Sequence, residues 1–184
     1  MKDVEKITRD TQAEIRGVGG PWEITNEEVL GEECIVFKNR HRNIGEMLKA
    51  NTSQWSEREC LVLGHIRISY RELQDRIEST AYRFQSTYGI KSGDRVAILA
   101  ANCPEWVISF FAATQIGAIV SALNGWWTET EIGHAIELTD PSVIVGDTRR
   151  LARAGFLLKK FPVIDIEENP DFFEPTGERP SEML

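Results

Sequence analysis

From residue 93 onward, short runs of apolar residues alternate with longer segments that have helical patterns. The apolar runs, at 95–100, 118–123, 142–146 and 163–166, have the length and the β-branched content of buried strands. Helical segments of about a dozen residues separate them. Because right-handed crossovers join such strands into a parallel sheet covered by helices, the sequence predicts an α/β fold with a mostly parallel sheet and flanking helices.

Capping motifs indicate where several helices begin. Four Ser, Thr or Asn residues are followed three positions later by glutamate, a spacing that satisfies two backbone amides of a first helical turn. They are Thr25, Asn43, Ser69 and Thr128. The helix after Ser69 has apolar residues at every third or fourth position and ends at Gly89. The motif at Thr25 predicts either a helix start or a turn, because Gly31 follows soon after.

Further elements are predicted on either side of the first parallel strand. Residues 60–63 and 65–69 flank a glycine and predict a β-hairpin that leads into the helix after Ser69. Asp147 is placed to cap a helix that extends through Leu158.

The composition limits the partners and the compartment. The formal charge of −8, from 29 acidic and 21 basic side chains, argues against a nucleic-acid partner, because phosphate binding requires a concentrated basic face. Three cysteines, Cys34, Cys60 and Cys103, are an odd number without the spacing of a metal site. The N-terminus has scattered charges and no apolar signal segment. These features predict reduced thiols and a cytoplasmic protein.

The longest uncharged stretch, 106–123, reaches the lower limit of membrane-spanning length. Gly117 divides it into a helix-like half and a β-branched half, which is the pattern of a buried helix followed by a buried strand. No transmembrane segment is therefore predicted.

Two common nucleotide-binding motifs are missing from the sequence. The turn at 100–105 reads Ala-Ala-Asn-Cys-Pro-Glu rather than G-x-G-x-x-G, and no Walker A sequence occurs. Without glycines, the backbone of this turn cannot closely approach a pyrophosphate. His41, His65 and His134 lack cysteine or carboxylate partners at ligand spacing, so each is predicted to have a structural or surface role rather than to bind zinc or catalyse.

Five short blocks lie within residues 67–147. They are Ile-Ser-Tyr-Arg-Glu-Leu at 68–73, Gly-Ile-Lys-Ser-Gly-Asp-Arg-Val-Ala-Ile at 89–98, Asn-Cys-Pro-Glu-Trp at 102–106, Gln-Ile-Gly-Ala-Ile-Val at 115–120 and Asp-Pro-Ser-Val-Ile-Val at 140–145. In order and spacing they resemble motifs near the start of adenylate-forming (AMP-binding) enzymes. Each block alone is weakly diagnostic, whereas the five together are strongly so.

Three more segments indicate a branch of this family. Leu-Asn-Gly-Trp-Trp-Thr at 123–128 resembles the LN-x-WWT run of bacterial fatty-acyl-type CoA synthetases, and residues 20–24 and 36–39 resemble their N-terminal extension. Adenylation domains of peptide synthetases usually have a proline-rich sequence at the position of 123–128. The resemblance therefore favours a carboxylic acid–CoA ligase of fatty acid metabolism, and a peptide-synthetase-like adenylation domain is the alternative within the family.

Such enzymes, as the resemblance implies, form an acyl-adenylate from a carboxylic acid and ATP with Mg²⁺, then transfer the acyl group to CoA. The family's phosphate loop, magnesium glutamate and C-terminal lysine all follow the matched region and have no counterpart here. No catalytic, cofactor-binding or metal-binding residue is therefore assigned. ATP, Mg²⁺ and CoA belong to the intact parent, and this chain is expected to be an inactive fragment whose partner is the remainder of that enzyme.

Three features have both a functional and a structural interpretation. The helix after Cys103 would lower the pKa of its thiol and favour a nucleophile, but no base is assigned and a capping or packing role is preferred. Trp126 and Trp127 line an acyl or pantetheine path, or they cover a sheet edge or a domain interface. A basic group on one predicted helix could meet a CoA phosphate, although a solvated helix face is the commoner use. Its members are Arg149, Arg150, Arg153, Lys159 and Lys160.

The resemblance and the element pattern together predict three segments. Residues 1–42 form an N-terminal extension, 43–166 the α/β N-terminal part of an AMP-binding domain, and 167–184 a linker towards the absent phosphate loop. A non-enzymatic alternative stays open, in which the chain is an interaction module or a subunit of a split enzyme that binds through its sheet edge and the Trp126/Trp127 surface.

Overall fold

The computed structural model describes residues 2–181 and 183, and for residues 2–4 and 156–158 it describes the backbone alone. Glu182 and Leu184 of the predicted linker lie outside the described residues. The chain forms two compact units, Met1–Arg42 and Asn43–Leu184.

The first unit contains a helix and a hairpin. Helix α1 (Lys2–Arg16) precedes the antiparallel strands β1 (Ile24–Val29) and β2 (Glu32–Phe37). The predicted helix start or turn at Thr25 is wrong, because Thr25 lies within β1 and pairs with Val36. Leu30 and Gly31 both have positive φ, 53° and 87°, which is the conformation of a two-residue hairpin turn. This turn favours pairing of the two strands over a helix after Thr25.

The second unit contains the predicted parallel sheet. Its helices are α2 (Ile44–Trp55), α3 (Tyr70–Tyr88), α4 (Pro104–Gln115), α5 (Glu129–Thr139) and α6 (Thr148–Ala154). Its strands are β3 (Glu59–Leu63), β4 (Ile66–Ser69), β5 (Arg95–Leu99), β6 (Ile119–Ala122), β7 (Val143–Gly146) and β8 (Val163–Asp165). Strands β3 and β4 form the predicted hairpin, and β5 to β8 form a parallel sheet in the order β6-β5-β7-β8. The α/β prediction is confirmed.

Local capping explains where the helices of this unit begin and end. Ser69 and Thr128 both form complete capping boxes, in which the carboxylates of Glu72 and Glu131 accept a hydrogen bond from the backbone amide of the cap residue. Gly89 ends α3 in the left-handed conformation, with φ 65°. Helix α6 ends earlier than predicted, because the chain turns at Gly155, where φ is 60°, and continues as a 3₁₀ helix (Gly155–Lys160).

Alternating side chains of the central strand divide the core between the two faces of the sheet. Val96 and Ile98 of β5 lie in the cluster that contains the apolar residues of α3 and α4. Ala97 and Leu99 lie in the cluster that contains those of α5 and α6. Both faces of the sheet are therefore covered, as a parallel sheet requires.

The segment predicted as a linker is packed where the structure describes it. Pro170–Phe173 form a 3₁₀ helix, and the Phe173 side chain is only 1% exposed. The Phe172 ring lies 5.7 Å from that of Phe84 and 5.9 Å from that of Tyr88, between centroids. Prolines and acidic residues give this segment no periodicity, so its pattern does not reveal the packing. Residues 170–181 are called the strap below.

Candidate functional site

The carboxyl ends of β5 and β7 mark a topological switch point. Strand β6 is added beside one edge of β5, whereas β7 and then β8 are added beside its other edge. Open α/β sheets commonly bind ligands in the crevice at such a point. A cleft of about 450 Å³ lies there, and the loops after β5, β7 and β8 line it. The lining residues are Ala101, Cys103, Glu105, Asp147, Arg149, Arg150, Ile166, Glu167 and Pro170.

Asp147 joins the two loops at the switch point. Its Oδ2 accepts hydrogen bonds from the Ala101 amide (2.8 Å) and from Arg150 Nη1 (2.8 Å), and its Oδ1 accepts one from the Arg150 amide (2.9 Å). In nucleotide-binding folds, amides at such a turn bind ligand anions. Here the carboxylate of Asp147 accepts the hydrogen bond from the Ala101 amide instead. Sequence reasoning identified Asp147 as a helix cap but missed its bond to Ala101, which has no local signal.

The surroundings of Asp147 keep it ionised. Burial raises the pKa of its carboxyl group, but hydrogen bonds from the Ala101 and Arg150 amides and from the Arg150 guanidinium lower the pKa by more, so the net pKa is lowered. A carboxylate with a lowered pKa and three donors is a poor proton acceptor. Asp147 therefore fixes the loops around the cleft and is not suited to act as a general base.

Cys103 lies beside the same cleft, at the N-cap of α4. Its side chain makes no capping hydrogen bond and packs against the main core. Burial is the largest influence on the thiol and raises its pKa to about 11. The helix dipole therefore does not produce a low pKa, and the packing interpretation is favoured over the nucleophile.

Alkylation of Cys103 tests this interpretation. At pH 8, a thiol with a pKa of about 11 is only about 0.1% ionised, so iodoacetamide should modify Cys103 at least about tenfold more slowly than free cysteine. Mass spectrometry of digested protein measures the rate, and the urea-unfolded chain is the control. Equal rates for Cys103 in the folded and unfolded chain would contradict a buried thiol.

The two tryptophans have different environments. They follow β6, an edge strand, rather than the switch-point strands β5 and β7. Asn124 Oδ1 accepts a hydrogen bond from the Trp126 amide (2.9 Å), which shapes the loop. Trp127 packs against the core cluster under α5 and α6, whereas the Trp126 side chain is 81% exposed. Trp127 thus has a packing role, and Trp126 is the one available to a partner or ligand.

Two members of the predicted basic group bind the protein itself. Arg150 pairs with Asp147, and Arg153 Nη1 donates to the carbonyl oxygens of Gly125 (2.9 Å) and Trp127 (3.0 Å). A Cβ atom at Gly125 would lie 2.3 Å from Arg150 Nε, so a larger residue there would displace the Arg150 side chain. The other three members are exposed, and Arg149 lines the cleft. Arg150 and Arg153 are therefore already engaged within the protein, whereas Arg149, Lys159 and Lys160 face solvent.

The remaining candidates lie at the surface. His41, His65 and His134 are all exposed. Within residues 2–181 and 183, no group of three or more His, Cys, Asp or Glu side chains could hold a metal ion. Over the same part of the chain, every helix is too short or too polar to cross a bilayer.

Comparisons with known proteins agree with this fold. A family model described as AMP-binding enzyme matches residues 48–176. The acyl-CoA ligase sidI of Aspergillus fumigatus is 37% identical over 99 residues, which cover 53% of this chain and 17% of that protein. A long-chain-fatty-acid–CoA ligase of Escherichia coli is 26% identical over 111 residues, which cover 60% of this chain and 20% of that protein.

Solved structures share the architecture. The N-terminal subdomain of NpsA from Klebsiella oxytoca has a TM-score of 0.65 and 21% identity, over 77% of this chain and 35% of that one. At this identity, the likeness shows the fold alone. The chain spans only about a fifth of the length of the curated relatives that it matches.

Proposed function

Because the chain belongs to the AMP-binding enzyme family, we propose that it supplies the N-terminal part of an ATP-dependent carboxylic acid–CoA ligase. The observation that carries this proposal is the family match over residues 48–176, which contains all five sequence blocks. The 37% identity to an acyl-CoA ligase supports the ligase branch. The family resemblance inferred from the sequence is confirmed.

The proposed reaction has two steps. The carboxylate of the acid attacks the α-phosphorus of ATP to give an acyl-adenylate and pyrophosphate, and the CoA thiol then displaces AMP to give the thioester. This chain contributes a rigid sheet with helices, whose switch-point loops are held by Asp147 and Arg150. Mg²⁺ is usually held by one or two carboxylates together with substrate phosphates, and the resemblance to the family assigns its carboxylate to a glutamate that follows the matched region.

The proposal also includes the carboxylic acid substrate and the cellular location of the enzyme. A fatty acid is the proposed substrate, supported by the LN-x-WWT-like run at 123–128 and by the match to a long-chain-fatty-acid–CoA ligase. A cytoplasmic location is supported by three cysteines that are all free thiols.

A second candidate is an adenylation domain that loads a carrier protein. One of the solved structures that share this fold is NpsA-ThdA of Klebsiella oxytoca, an artificially fused adenylation–PCP di-domain, so the fold is compatible with this candidate as well. The two candidates differ in the acceptor thiol. CoA accepts the acyl group in the first candidate, and a carrier-protein phosphopantetheine accepts it in the second.

Pyrophosphate exchange tests the proposed function. The complete enzyme that contains this chain should incorporate labelled pyrophosphate into ATP when a fatty acid is present, and should form acyl-CoA when CoA is added. The 184-residue chain alone is expected to show no exchange, because its sequence has no glycine-rich phosphate loop. Exchange without thioester formation on CoA would favour the carrier-protein candidate. No acid-dependent exchange in the complete enzyme would contradict both.

A further inference from the structure

Three consecutive polar residues on α3 are buried. Glu78 is 8% exposed, Ser79 1% and Thr80 0%. Burial of a polar side chain costs free energy unless a partner satisfies it. These three side chains therefore require specific polar partners.

The strap supplies those partners. Arg179 Nε lies 3.1 Å from Glu78 Oε2, and the Thr176 amide donates to Ser79 Oγ (3.0 Å). Thr80 Oγ1 donates to the carbonyl oxygen of strap residue 172 (3.4 Å). Each of the three buried polar side chains of α3 therefore has a partner on the strap.

Arg83 makes the most direct connection between α3 and the strap. Its Nη1 donates to two strap carbonyl oxygens, those of Phe172 (2.7 Å) and Glu174 (2.7 Å). Its guanidinium carbon also lies 5.8 Å from the centroid of the Phe172 ring. About two turns earlier on α3, Arg76 pairs with the Glu174 carboxylate. Two arginines thus hold the same short stretch of the strap.

The strap directs the chain away from the sheet to a defined place. It begins after β8, crosses α3, and is followed by Met183, whose Sδ accepts a hydrogen bond from Gln115 Nε2 at the end of α4 (2.8 Å). The strap is tied to α3 near both of its ends, because Phe172 packs against Phe84 and the Ser181 amide donates to Gln85 Oε1 (2.9 Å). A segment held in this way sets the position of any polypeptide that continues from it.

We infer that Arg83 is a positioning residue of the ligase, which acts by holding the strap on α3 and so setting where the catalytic part of the enzyme joins this sheet. This inference rests on the proposed function. The contacts of Arg83 described above are with the strap and not with a reacting group. Its effect on the reaction passes through the strap, and small displacements of reacting groups are known to cost about 10²-fold in rate.

Arg83→Met tests the inference, because methionine keeps much of the apolar stem and removes every donor. In the complete enzyme, kcat/KM for acid-dependent pyrophosphate exchange should fall about 10- to 100-fold at temperatures well below unfolding. In the 184-residue chain, amide hydrogen exchange over residues 172–176 should accelerate. Arg71→Met is the matched control, since Arg71 lies on the same helix but pairs with Glu57, outside the strap.

Covalent reattachment separates positioning from a general loss of structure. Ser79→Cys with Thr176→Cys, added to Arg83→Met, is the reattachment variant, because the Ser79 hydroxyl lies 3.0 Å from the Thr176 amide. Mass spectrometry of the oxidised protein first verifies that the disulfide has formed. Oxidation should restore most of the rate of pyrophosphate exchange, and reduction of the disulfide should lower that rate again. A merely structural role for Arg83 would not give a rate that follows this disulfide.

Three results would overturn the inference. If amide hydrogen exchange shows that the strap is released but the rate of pyrophosphate exchange is unchanged, the strap does not position the catalytic part. A lower rate with a fully protected strap would show that Arg83 acts elsewhere. If the wild-type complete enzyme shows no acid-dependent exchange, the proposed function fails and the positioning role fails with it, whereas hydrogen exchange on the 184-residue chain still reports on the strap contact itself.

Discussion

Replacing Phe173 with alanine is expected to lower the free energy of unfolding of residues 43–184 by about 4 kcal/mol. The side chain is only 1% exposed and belongs to the main core cluster with residues of α3, α4 and the sheet. Truncation removes its apolar contacts and leaves a cavity that a sheet and two helices cannot easily fill. Urea unfolding followed by circular dichroism measures the change, as a lower midpoint at similar slope.

The control for this prediction is truncation of an exposed apolar side chain. Leu138 on α5 is 76% exposed, so Leu138→Ala should change the free energy of unfolding by no more than about 0.5 kcal/mol. If Phe173→Ala were equally mild, the strap would not be part of the folded core. The segment would then behave as the linker that its composition suggests.

Replacing Asp147 with alanine is expected to cost about 3 kcal/mol. Loss of the cap of α6 accounts for about 1 kcal/mol, and the unpaired Arg150 guanidinium and Ala101 amide account for the rest. Asp147 is 9% exposed and Arg150 is largely buried, so water can replace the lost acceptor only in part. Asp75→Ala is the control, because Asp75 is exposed on α3, and we expect a change within about 0.5 kcal/mol.

The pH dependence of stability provides a second measurement of the same interaction. Because the pKa of Asp147 is lowered in the folded state, its ionised form stabilises the fold above the ordinary value of 3.8. This contribution is lost as the pH falls through the lowered pKa. The difference in stability between wild type and Asp147→Ala should therefore be constant above about pH 5 and shrink in more acidic solution. A difference that grows on acidification would contradict the interaction.

The switch-point cleft shows how this fold differs from dinucleotide-binding sheets. A glycine-rich turn leaves its amides free for a ligand phosphate. Here the equivalent turn carries Cys103 and Pro104, and the Ala101 amide is already bound to Asp147. An internal carboxylate thus stabilises the loops without a ligand, which agrees with a scaffold role for this chain in the proposed ligase.

Local sequence signals predicted most elements but were wrong at Thr25. The capping box at Ser69 and the glycine at 89 define α3, because both act within a few residues. Thr25 carries the same type of motif, yet it lies in a strand because the turn at Leu30 and Gly31 pairs β1 with β2. The basic group at 149–160 was similarly ambiguous, since the sequence does not show that Arg153 binds the loop of Trp127.

The sequence by itself determined the family, the α/β class and the positions of the main helices and strands, because periodicity and capping act over short distances along the chain. The tertiary structure alone decided the strand order, the bond between Ala101 and Asp147, and the docking of the strap on α3. The bond from Ala101 to Asp147 spans 46 positions and that from Thr176 to Ser79 spans 97. Contacts between residues so far apart leave no periodic pattern, and they form only when the sheet brings its loops and helices together.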